Sequence, residues 1–79
     1  MVIKILGTGC PKCKKLEENT RAALQKTGIA AEIQKVSALS DIMKYNVVMT
    51  PGFVVDEQVK SSGKVLSTDE IATIIKGGK

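Results

Sequence analysis

Two hydrophobic periods alternate along this chain, and the switches between them mark its elements. Val2 to Leu6 is a short apolar run rich in β-branched residues, bounded by Gly7-Thr8-Gly9. It predicts a buried strand with Lys4 as the polar residue in its middle. From Pro11 to Thr27 the positions Cys13, Leu16, Thr20, Ala23, Leu24 and Thr27 recur at i, i+3, i+4, the inward stripe of a helix. Proline suits the first helical position and Gly28 the residue past the end. The predicted outer face carries Lys14, Glu17, Glu18, Arg21 and Gln25, with Glu17 and Arg21 paired at (i, i+4). Ala30 to Val36 places Ala31 and Ile33 on one face and Glu32 and Gln34 on the other, an edge or half-exposed strand. Ser37 is expected to cap a short helix with Leu39, Ile42 and Met43 as its apolar face, ended by Asn46. Val47 to Thr50 leads into Pro51. Gly52 to Val55 reads as a second buried strand, Asp56-Glu57 as a turn, and Gln58 to Ser61 as a poorer edge strand. After the turn Ser62-Gly63-Lys64, the capping box Ser67-Thr68-Asp69-Glu70 opens a last helix whose apolar face is Ile71, Ile74 and Ile75.

The predicted order is β-α-β-α-β-β-α. Two strands joined through a helix run parallel with a right-handed crossover, and two joined by a tight turn run antiparallel. The expected fold is therefore α/β, one mixed four-stranded sheet with helices on both faces. Its length of 79 residues allows one domain, residues 1–79, with no linker or repeat. A domain this small buries only roughly 60% of its unfolded surface, and such folds often recruit a disulfide or a metal as a staple. Here there are two cysteines and no histidine. A Cys10–Cys13 bridge closes too small a loop to add much chain-entropy stabilisation, so the pair points to chemistry rather than architecture.

Net charge is +4, with Lys12, Lys14 and Lys15 clustered beside the cysteines. Nucleic-acid binding calls for a longer basic stripe and stacking aromatics. One Phe, one Tyr and no Trp do not supply them. No run approaches the roughly 18 apolar residues of a membrane span, so no membrane partner is expected. The first apolar run is too short for the core of a signal peptide. The expected location is cytoplasmic, where a vicinal cysteine pair means redox catalysis or metal handling.

With Pro11 at the first helical position, Cys10 is the expected N-cap residue. There the helix macrodipole places roughly +0.5 of a charge, and unpaired N–H groups favour an anion. Lys12, Lys14 and Lys15 add positive charge within a turn. Cysteines in such settings titrate well below the ordinary value of about 8.5. Cys13, on the inward stripe with Leu16, is expected to be less exposed and less ionised. That asymmetry suits thiol–disulfide exchange, in which one thiolate attacks and the second resolves the mixed disulfide.

Gly9-Cys10-Pro11-Lys12-Cys13 after a first strand resembles the active-site segment of the thioredoxin–glutaredoxin superfamily. Tyr45-Asn46-Val47-Val48-Met49-Thr50-Pro51 is similar to the thioredoxin segment that ends a helix and enters the next strand with a cis-proline. The chain most resembles the small redox-active disulfide proteins of archaea and bacteria, sometimes called atypical thioredoxins, which share the Gly-Thr-Gly-Cys opening. The resemblance implies a thioredoxin-like fold and a monomer exchanging a Cys10–Cys13 dithiol with protein disulfides, with no cofactor or metal, recharged by a thioredoxin-reductase-like donor. It implies a cis bond before Pro51, packing of Pro51 on the disulfide, and pairing of the Thr50 backbone with an extended substrate.

Two departures stand out. Gly9 occupies the place of the family's tryptophan, and Lys4 that of its buried acid, nine positions before Cys13. Lys4 either stabilises a thiolate by its charge or snorkels to solvent, and joins Pro11, Lys12 and Lys14 as a candidate for tuning the cysteines. Two other functions use the same cysteines. A glutathione-linked glutaredoxin shares Cys-Pro-x-Cys, but Ser61-Ser62-Gly63-Lys64 lacks the Gly-Gly-acid that holds glutathione. A Cu(I) chaperone also places Cys-x-x-Cys between strand and helix, but its element order, β-α-β-β-α-β, differs.

Overall fold

A computed structural model describes residues 1–7, 9, 11–47 and 49–77. The elements are β1 (Val2–Leu6), α1 (Pro11–Thr27), β2 (Glu32–Val36), α2 (Leu39–Met43), β3 (Gly52–Val55), β4 (Gln58–Ser62) and α3 (Thr68–Ile75). This is the predicted order, and it is not that of the small copper-binding domains. The strands lie β2-β1-β3-β4, with β1 parallel to β2 and antiparallel to β3, and β3 antiparallel to β4. β1 is thus hydrogen-bonded on both sides and organises the sheet.

Alternation along β1 divides the core in two. Ile3 and Ile5 pack with Leu16 and Ala23 of α1, Phe53 and Val55 of β3, and Ile71, Ala72 and Ile75 of α3. Leu6 joins Ile42 of α2, Val47 and Val54 on the other face, with Val36 and Tyr45 partly buried against them. Two helices cover one face and the short α2 the other, as expected. Asn19 Nδ2 donates to the Leu66 carbonyl at 2.9 Å, tying α1 to the segment that enters α3. Lys26 and Asp69 form an ion pair between these two helices. Buried Thr20 donates its hydroxyl to the Leu16 carbonyl at 2.7 Å, which is how a polar side chain enters the apolar stripe.

Several boundaries differ from the sequence expectation for physical reasons. β2 begins at Glu32 rather than Ala30, because its partner begins at Val2, opposite Glu32. Ser37 does not cap α2: the N-cap is Ala38, with no side-chain cap. With helical residues starting at Leu39, Ser37 lies one position too early for its hydroxyl to serve the first turn. A five-residue helix presents little inward surface, so Ile42 is buried while Leu39 and Met43 are 67% and 63% exposed. On α3, Ala72 rather than Ile74 completes the buried stripe. Glu17, expected on the outer face of α1, is half-buried instead.

The Asp56-Glu57 turn has positive φ at both residues, 48° and 69°, the twist a two-residue hairpin requires. Neither residue is glycine, and the turn is tied down from outside. Asp56 Oδ1 accepts from the Val2 amide, and the Asp56 amide donates to the Val2 carbonyl, both at 2.9 Å. At α3 the capping box is complete: the Ser67 hydroxyl accepts from the Glu70 amide at 3.1 Å, and Glu70 Oε1 accepts from the Ser67 amide at 3.0 Å.

These two serines make a paired prediction. Ser67→Ala should destabilise the protein by about 1 kcal/mol, because orphaned α3 amides lose their acceptor. Ser37→Ala should leave stability unchanged within about 0.5 kcal/mol, the usual range for a surface site. Urea unfolding of both variants checks this, and a loss at Ser37 equal to that at Ser67 would contradict the capping assignment.

Candidate active site

The C-terminal end of β1 meets the first turn of α1 at Gly7. A Cβ built on Gly7 would stand 2.2 Å from Cys13 Sγ and 3.9 Å from Thr50 Cβ. Glycine is required here by space, since the sulfur occupies the volume of any side chain at position 7. The Gly7 amide donates to the Val36 carbonyl at 2.9 Å, extending the parallel ladder by one bond and holding this backbone in place. The pattern along the chain marks Gly7 only as the boundary of the first strand. No periodicity marks a glycine that makes room for a sulfur.

Cys13 is buried, 6% exposed, on the inward stripe of α1. Pro11 is the first residue of that helix, as predicted, and Pro11, Lys12, Lys14 and Lys15 are exposed. Cys10, the residue before Pro11, lies outside the described residues. Gly9 has φ +86°, a conformation that disfavours any side chain. Thr50 is exposed and Pro51 buried, and the peptide bond between them is cis, as the resemblance implied. The Gly63 amide donates to the Pro51 carbonyl at 2.9 Å, and Met49 lies over Gly63, whose Cβ would meet that of Met49 at 2.9 Å. The loop after β4 thereby backs the Thr50–Pro51 segment.

A small cavity of about 80 Å3 opens beside Cys13, lined by Ile5, Gly7, Gly9, Cys13, Lys14, Glu17 and Lys35. Lys14 reaches it as a candidate tuning residue; Glu17 and Lys35 were not anticipated. Glu17 accepts from Arg21 Nε and Nη2 at 3.2 and 2.7 Å, and Lys35 Nζ lies 3.5 Å from its other oxygen. The Arg21 hydrogen bond chiefly holds the Glu17 carboxyl below its ordinary range, against the burial that would raise it. The spacing of Glu17 to Cys13, one helical turn, was legible. The approach of Lys35 depends on the β1–β2 register.

Lys4 is directed elsewhere. It projects to the α2 face of β1, where its Nζ lies 2.9 Å from Tyr45 Oη and 2.5 Å from Glu57 Oε1, and Tyr45 Oη donates to Glu57 Oε2 at 3.0 Å. It lines a separate cavity of about 480 Å3 with Gln34, Val36, Asp41, Lys44, Tyr45 and Glu57. Neither sequence-based role for Lys4, thiolate stabilisation or simple snorkelling, describes this three-membered network. Bonds to Glu57 and then Tyr45 raise the Lys4 ammonium above its ordinary 10.5, and the bond from Lys4 holds the Glu57 carboxyl below its ordinary 4.5.

Cys13, buried in the first turn of α1, and Thr50, which precedes the cis bond to Pro51, thus approach the same point at the end of β1. Residues 1–76 match the family model for the thioredoxin domain, and the chain belongs to that family. It is 40% identical over 75 residues to a thioredoxin of Methanothermobacter thermautotrophicus, covering 95% of this chain and 97% of that one. It is 42% identical over 76 residues to a thioredoxin of Methanocaldococcus jannaschii, covering 96% and 87%. A solved structure titled "Structure of a malarial protein" shares the fold with a TM-score of 0.70 at 14% identity, covering 96% of this chain and 93% of that one. The protein is a thioredoxin-like redox protein. No helix among the described residues is long and apolar enough to cross a membrane.

Gly7→Ala should force its methyl into Cys13 Sγ, with an overpacking cost of typically about 1–3 kcal/mol. The urea midpoint should fall and native-state alkylation of Cys13 should accelerate. An unchanged midpoint would mean that the first turn of α1 yields freely.

The Lys4–Glu57 pair predicts a pH window. Glu57 is lowered, so its contribution is present above 4.5 and is lost as pH falls through its folded value. Lys4 is raised, so its contribution is present below 10.5 and is lost only as pH rises beyond that. The stability difference between wild type and Glu57→Gln should therefore be present at neutral pH and vanish in acid. A difference that persists well below the carboxylate range would show that the ion pair is not its source.

Proposed function

We propose that this protein is a dithiol–disulfide oxidoreductase acting on protein disulfides, with Cys10 as nucleophile and Cys13 as resolving thiol. The observation that carries the reading is the convergence of Cys13 Sγ and Thr50 on the backbone of Gly7. It puts a buried thiol next to the cis-proline segment that the family resemblance assigns to substrate.

In this reading the Cys10 thiolate attacks one sulfur of the substrate disulfide, releasing the other as a thiolate and leaving a mixed disulfide. Cys13 loses its proton and attacks Cys10 Sγ, and the second substrate thiol departs. Two electrons and two protons pass to the substrate, and the protein retains a Cys10–Cys13 disulfide. Pro11 opens α1, and the partial positive charge of that helix end, with Lys12 and Lys14, favours the attacking thiolate. The Thr50 backbone pairs with an extended substrate segment, and Pro51 forms its floor. The working unit is a monomer comprising one domain, in the cytoplasm, recharged by a thioredoxin-reductase-like donor.

Cys10→Ser should abolish turnover of a protein disulfide, such as insulin reduction, whereas Cys13→Ser should trap a mixed disulfide visible by mass. Retained turnover in either single variant overturns the assignment.

A further inference from the structure

The cavity beside Cys13 carries charges of both signs on its wall: Lys14 and Glu17 from α1, and Lys35 from β2. β1 brings only Ile5, the following segment Gly7 and Gly9, and Thr50 across Gly7 is uncharged. Among these groups Glu17 is unusual. Its side chain is 15% exposed, whereas the other paired carboxylates of the described residues are 48–80% exposed. Removing a carboxylate from water is costly unless it is paired and hydrogen-bonded. Arg21 takes one oxygen with two nitrogens and Lys35 approaches the other, so Glu17 is held as an anion one helical turn from Cys13. A thiol beside an anion ionises less readily, and one beside a cation more readily.

We propose that the Glu17–Lys35 pair, bridging α1 and β2 over this cavity, sets the ionisation of Cys13, with the two charges acting in opposite senses. The Glu17 carboxylate holds Cys13 as a thiol, and the Lys35 ammonium, more exposed and therefore more screened, partly offsets it. Glu17 and Lys35 are positioning residues that act through Cys13. Their effect preserves the asymmetry between an ionised attacking cysteine and a neutral resolving one. The functional consequence rests on the exchange reading above; the electrostatic claim stands on the cavity itself.

The experiment titrates Cys13 alone in a Cys10→Ser background, following its Cβ chemical shift by NMR, which does not depend on access to the buried sulfur. Glu17→Gln should move the titration to lower pH and Lys35→Gln to higher pH, each changing the thiolate fraction below the midpoint by about threefold, half a pKa unit. Glu17→Asp, which keeps the charge, should retain most of the parent value, and high salt should shrink both displacements. A purely structural ion pair would lower stability in both variants without moving the thiol in opposite directions. Displacements of the same sign, or none, overturn the proposal. If Glu17→Gln does not fold, Lys35→Gln decides alone, since an upward displacement is required of it. Failure of the exchange reading would appear instead as turnover retained by Cys10→Ser or Cys13→Ser, and the titration would be unaffected by it.

Discussion

The sulfur of Cys13 and the backbone of Gly7 share a space that has no room for a side chain, and much of the site depends on that contact. α1 can seat its first turn against the end of β1 only because position 7 has no Cβ; one would stand 2.2 Å from the sulfur. The same point lies 3.9 Å from Thr50 Cβ, so one missing side chain brings together a helix, a strand end and the loop before β3. Interiors are close-packed and transmit such displacements rather than absorbing them. The Gly7 amide is also bonded to Val36, so this backbone is fixed from the β2 side while the sulfur fills it from the other.

Alternation along β1 then decides which charges can reach that sulfur. Ile3 and Ile5 face α1 and α3, and Ile5 lines the Cys13 cavity. Lys4, between them, faces α2 and is taken up by Glu57 and Tyr45. A period of two residues thus removes the strand's own charge from the cysteine, and the charges that remain nearby come from the helix and from β2. This is why a position-by-position match to the family pattern, with Lys4 in the acid's place, gives the wrong neighbourhood. The carboxylate lining the cavity comes from α1, one turn past Cys13, and belongs to a different element.

The elements themselves were legible because local rules and tertiary demands agree in them. The α1 stripe, Gly28 past its end and the Ser67–Glu70 capping box each satisfy a local requirement that the packing also needs. Where sequence reading failed, a long-range partner decided. The start of β2 was set by the start of β1, the exposure of Leu39 and Met43 by how little inward surface a helix as short as α2 offers, and the course of Lys4 by a turn more than fifty residues away. The same holds at the site. Cys13 and the Thr50–Pro51 segment could be picked out from their motifs. Glu17 stands one turn from Cys13 by helical spacing alone, but Gly7 and Lys35 come to that cysteine only through strand register and helix docking, which no single-sequence pattern encodes.

Gly9 shows how such a departure from a family pattern can have a backbone cause. The resemblance places a tryptophan before the first cysteine, and here φ at that residue is +86°. A residue bearing a Cβ pays roughly 1–2 kcal/mol in left-handed backbone, a large share of the stability of so small a domain. Among the described residues no atom lies within 4 Å of a Cβ built at this position, and the constraint seen there is conformational. Gly7 is the converse, a glycine required by its neighbours. Two glycines two residues apart therefore answer different demands: one lets the chain turn after β1, and the other lets the helix it enters carry its cysteine against the strand it has just left.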